Sequence, residues 1–90
     1  MFLAEIQNAV GHLRRTNREL ADAINEDETA SDEDLRLYRE TIEENEQVIR
    51  RKLARASVFM HVLRERNEPA TKLEEALAED IVATHAAHNG

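Results

Sequence analysis

Apolar residues recur at alternating steps of three and four from Leu3 through Ile6, Val10, Leu13 and Leu20 to Ile24, with Asn17 the one polar member of the series. That spacing is a heptad seam, and it predicts a helix over about 2–25 whose stripe seeks another helix. Ala9, Thr16, Ala21 and Ala23 flank the seam with small side chains, which widens the face beyond a strict two-helix contact. The acidic triplet Glu26-Asp27-Glu28 lies where the helix dipole is already negative and predicts a loop over 26–30.

Ser31-Asp32-Glu33-Asp34 then supplies an N-cap serine, acids in the first turn and a carboxylate at the third helical position. A second helix follows over about 32–66, free of Gly and Pro. Its seam reads Leu35, Tyr38, Ile42, Asn45, Ile49, Leu53, Ala56, Met60 and Leu63, with one extra residue between Ile49 and Leu53 that resembles a stutter. Asn67-Glu68-Pro69 ends it, because a residue before proline is pushed out of the helical region. Thr71-Lys72-Leu73-Glu74 fits a second capping box, so a third helix is predicted over about 70–85 with Leu73, Ala76, Leu77, Ile81 and Thr84 inward. Residues 86–90 read as a frayed tail to a single helical domain over 1–88.

A five-residue connection favours antiparallel packing of the first two helices, with facing residue numbers summing to about 60 to 62. In that register Arg14 lies opposite Glu46, Arg18 near Glu43 and Glu44, and Glu5 near Arg55. Asn17 and Asn45 come together as well, and two amides that satisfy each other in an apolar layer would set register and specificity. The predicted fold is therefore all-α: an antiparallel, coiled-coil-like helical hairpin with a shorter third C-terminal helix.

Composition supports that class. The chain has 90 residues with two Gly, one Pro and three aromatic residues, so helix formers dominate. A chain this short buries a modest core and leans on partners, which makes an oligomer or a complex subunit the expectation. A net charge of −7 opposes a general nucleic-acid interface, since that mode needs a basic face. The absence of cysteine excludes a disulfide framework and fits a reducing compartment. The first residues lack a basic segment followed by an apolar run, and no stretch approaches the ~20 apolar residues of a membrane span. An intracellular protein is expected, in cytoplasm or nucleus.

Candidate chemistry is sparse. Glu43, Glu44 and Glu46 read as a solvated face, and His85 and His88 lack the further ligands a metal needs. No catalytic residue, cofactor or metal is expected, and the chain is read as not an enzyme. Val58, Phe59, Met60, Val62 and Leu63 cover more than one face of the second helix, so one neighbour cannot bury them all; they are the candidate partner-binding residues, with Phe59 and Met60 as anchors. Arg50, Arg51, Lys52 and Arg55 are candidate anion contacts, although no aromatic residues interleave with them for base stacking. Ser31, ahead of three acids, is a candidate phosphorylation site at which added charge would favour the helix start.

Leu37-Tyr38-Arg39 spells the tripeptide of the LYR-motif adaptors, which carry it early in a first helix of a basic chain, unlike its place here. The outline of a short, a long and a terminal helix is similar to that of small all-helical chaperone and recombination-accessory subunits such as tubulin-binding cofactor A and the Swi5 family, a likeness of architecture alone. The leading expectation is a helical assembly subunit or adaptor that binds a protein partner, or itself, through apolar helix stripes. Two alternatives are an accessory of a nucleic-acid-handling complex using Arg50 to Arg55, and a small helical enzyme of chorismate-mutase type.

Overall fold

The computed structural model describes residues 2–66 and 69–89, with side chains as far as Ala86. Three helices follow one another: α1 (Phe2–Glu26), α2 (Asp32–Glu65) and α3 (Lys72–Asn89). Helices α1 and α2 form the hairpin that the short connection favours, and α3 packs back against both. The molecule measures 55 × 26 × 15 Å, and its long dimension is that of α2, whose 34 residues span about 51 Å at 1.5 Å per residue. A radius of gyration of 16.1 Å exceeds the about 12 Å of a compact chain of this length, so much of each helix lies open to solvent.

The start of α2 follows from its first residues. Ser31 Oγ accepts from the Asp34 backbone N–H at 3.1 Å, and the Ser31 N–H donates to Asp34 Oδ2 at 3.3 Å. In the preceding loop the Thr29 hydroxyl and amide both donate to Asp27 Oδ1, at 2.6 and 3.0 Å. The hydroxyl first, then the amide, hold the Asp27 carboxyl below its ordinary value of 3.8.

Helix α3 starts later and runs further than its expected range of 70–85. Thr71 Oγ1 accepts from the Glu74 N–H at 3.1 Å and Glu74 Oε2 from the Thr71 N–H at 3.2 Å, which makes Thr71 the cap and leaves Pro69 and Ala70 before the helix. At the other end Ala83, Ala86 and Ala87 are strong helix formers, and the helix continues to Asn89 through most of the segment expected to fray. Asn67 and Glu68, two of the three residues expected to stop α2, lie outside the described residues; α2 ends at Glu65, with the Arg66 N–H bonded to the Leu63 carbonyl at 3.1 Å.

The core occupies one end of the hairpin. Leu3, Ile6 and Val10 of α1 meet Ile49, Leu53, Ala56 and Met60 of α2, and Leu77 of α3 closes the cluster at 1% exposure. Leu13, Leu73 and Ile81 pack around it, while Ala76, expected to face inward, is exposed. Toward the loop, where only two helices run side by side, Leu20, Ile24, Leu35, Tyr38 and Ile42 are no more than half-buried. Between these regions Asn45 Nδ2 donates to Asn17 Oδ1 at 2.9 Å, both residues being half-buried.

Two stability changes follow. Asn17→Leu strands the Asn45 amide in an apolar layer and is expected to cost about 1 kcal/mol, whereas the Asn17→Leu, Asn45→Leu double variant recovers most of that loss; urea unfolding of the four proteins checks the coupling. Gly11 sits mid-helix on the outer face with open space around an added Cβ. Gly11→Ala is therefore expected to stabilise the chain by about 0.5–1 kcal/mol, read as a higher melting temperature by circular dichroism.

Candidate functional site

The residues singled out at the far end of α2 divide between core and surface. Met60 is 6% exposed and belongs to the core, so it is not a surface anchor; its position four residues beyond Ala56 places it on the seam. Leu63 is half-buried. Val58, Phe59 and Val62 are 67, 39 and 40% exposed and lie round the helix from that seam. Phe2, a residue to which the heptad pattern assigned no part, joins them from α1: its ring centroid lies 5.0 Å from that of Phe59 with the planes tilted by 59°. Phe2, Arg55, Val58, Phe59 and Val62 together line a shallow apolar hollow of about 380 Å3.

A second groove continues from this hollow along the α1–α2 seam, lined by Phe2, Glu5, Ile6, Ala9, Lys52 and Arg55. No α3 residue lines either depression. The side occupied by α3 has different walls: Arg50, Leu53 and Ala54 of α2 meet Ile81, Thr84 and His85 of α3 in a pocket of about 180 Å3. The run from Arg50 to Arg55 is accordingly split. Arg50 turns toward α3 and Lys52 toward the open groove, since residues two apart on a helix point to different sides. The four candidate anion contacts therefore share no single face.

One two-pronged polar contact was invisible to the hairpin register. Arg14 faces α3 rather than Glu46: its Nη1 donates to Asp80 Oδ2 at 2.8 Å, and its Nη2 to Asp80 Oδ1 at 2.6 Å and to Thr84 Oγ1 at 3.1 Å. A two-pronged arginine–carboxylate pair with both partners partly shielded orients what it joins, here the side of α3 to the middle of α1. Arg14, Asn17, Arg18, Glu46, Ile49, Arg50 and Thr84 line a groove of about 560 Å3 beside it.

Of the remaining candidates, Ser31 is exposed and engaged as the cap of α2. Glu43, Glu44 and Glu46 are exposed. His61 Nε2 lies 3.0 Å from Glu65 one turn on, and the side chain of His88 lies outside the described residues. Among the described residues no three His, Cys, Asp or Glu side chains gather as a metal site would require, and no helix is long and apolar enough to cross a membrane.

These features define a small all-helical protein built on an elongated hairpin, with an apolar strip and a groove left open on one side. The chain belongs to the TMA17 helical domain family, whose model matches residues 2–70. That match takes in α1 and α2 and stops before α3. No curated protein and no solved structure matches the chain significantly.

The Arg14 contact generates a prediction on α3. Arg14→Ala and Asp80→Asn are each expected to destabilise the chain by roughly 1 kcal/mol, with a double variant little worse than either single one. Arg14→Lys keeps the charge, loses the fork and is expected to behave like Arg14→Ala. Hydrogen exchange should show α3 amides opening faster while those of the α1–α2 core keep their protection.

Proposed function

We propose that this protein is a non-enzymatic assembly or adaptor subunit that binds a protein partner by packing helix against helix. The carrying observation is the apolar strip of Phe2, Val58, Phe59 and Val62: two aromatic rings in contact, flanked by branched aliphatic side chains, on the surface of a chain with only three aromatic residues. Val58, in the last quarter of a 34-residue helix, stays two-thirds exposed in its own fold, and contiguous surfaces of this kind mark interaction sites. Membership of a helical-domain family supports the same reading. The nucleic-acid alternative draws less support, because Arg50 and Lys52 serve opposite sides of α2 and the chain carries a net −7.

The test uses a photo-crosslinking amino acid at position 58, with position 43 on the exposed acidic half of α2 as control, in cells of the source organism. Crosslinks to another polypeptide from position 58 and none from 43 are expected. Val58→Asp should abolish stable co-purification of that polypeptide while its melting curve stays within a degree or two of the parent, since the side chain supports no internal packing. Equal crosslinking from both positions, or none from 58, counts against the proposal.

A further inference from the structure

The kind of helix that this surface accepts is written into the other side of the hairpin. A two-helix hairpin has two grooves, one on each side of its seam. In this chain α3 fills the core end of one of them. It does so with Leu73, Leu77 and Ile81, spaced four apart against the core, and with the Asp80 carboxylate on the Arg14 fork. From Lys72 to Ala86 it carries Glu74, Glu75, Glu79 and Asp80 against a single lysine. The hairpin therefore already holds one acidic amphipathic helix.

The unfilled groove repeats the ingredients. Ile6 and Ala9 form its floor, Phe2 and Phe59 its apolar end, and Lys52 and Arg55 the basic end, with Glu5 the one carboxylate along it among the described residues. Arg51, exposed one turn before Arg55, extends the positive edge. From Lys52 to Val62 the surface runs along eleven residues of α2, about 15 Å or three helical turns.

Resting on the docking reading above, we propose that the occupant of this groove is a single amphipathic helix from another protein, with carboxylate-bearing flanks. Its apolar residues, repeating every three or four, lie against Phe2, Phe59 and Val62, and its carboxylates reach Lys52 and Arg55. A second copy of this chain fits less well. A two-fold contact centred on the strip sets Arg55 toward its own copy, and each chain brings a net −7 to the encounter.

The experiment titrates the full chain into two fluorescein-labelled synthetic helices that share one Leu/Ile face and differ only in Glu or Lys flanks, and reads anisotropy. The Glu-flanked helix is expected to bind at least tenfold tighter at low salt, with the advantage shrinking in 0.5 M salt, as for charge pairs at a solvent-exposed rim. Lys52→Glu with Arg55→Glu should reverse the preference without altering the far-ultraviolet dichroism, and Val58→Asp should weaken both helices. Equal, Val58-dependent binding of the two helices would overturn the acidic specificity and leave the docking strip standing. Failure of both helices to bind while position 58 still crosslinks in cells would overturn the helical occupant alone. A chain that sediments as a dimer, and as a monomer once Val58→Asp is made, would replace the proposed occupant with a second copy. Binding of the Glu-flanked helix that survives the charge reversal but changes with Arg14→Ala would move the site to the α3 side and refute the groove assignment.

Discussion

The structure depends on the contact between the first three turns of α1 and the C-terminal half of α2, where Leu3, Ile6 and Val10 interlock with Ile49, Leu53, Ala56 and Met60. Two helices alone bury a seam poorly, because each stripe keeps its edges in water. This is visible toward the loop, where the same heptad spacing leaves Leu20, Ile24, Leu35 and Ile42 half-buried. Only where α3 adds a third wall do side chains fall below a few per cent exposure, with Leu77 the seal. Burial of apolar surface, about 25 cal/mol per Å2, is thus concentrated at the end of the molecule farthest from its connecting loop.

That concentration explains the polar contacts. The amide pair of Asn17 and Asn45 stands where the three-helix core gives way to the two-helix stem, and a partly shielded amide there is tolerable because its partner is another amide at hydrogen-bond distance. One turn before Asn17, Arg14 turns its fork to Asp80 and Thr84 and sets how α3 lies. Hydrophobic contact decides that α3 packs; directional bonds decide at which rotation and height.

The same geometry leaves a residue of unmet demand. A third helix covers one side of the seam, and nothing in the described chain covers the other, where Phe2 and Phe59 rest on each other beside Val58 and Val62. The family match ends at residue 70, so it covers the hairpin, and α3 lies beyond it.

Much of this was legible from residue order because it is governed by local rules. Helical period, capping pairs at Ser31 and Thr71, the connection length and the antiparallel register of Asn17 with Asn45 all depend on spacing along one or two neighbouring helices. What spacing does not contain is the side of the hairpin on which α3 settles. That choice drew Arg14 away from Glu46 to Asp80 and turned Ala76 outward. A heptad tells which residues face a neighbour, and three helices meeting in space decide which neighbour, because an edge residue of a two-helix seam becomes core or surface only when the third helix arrives.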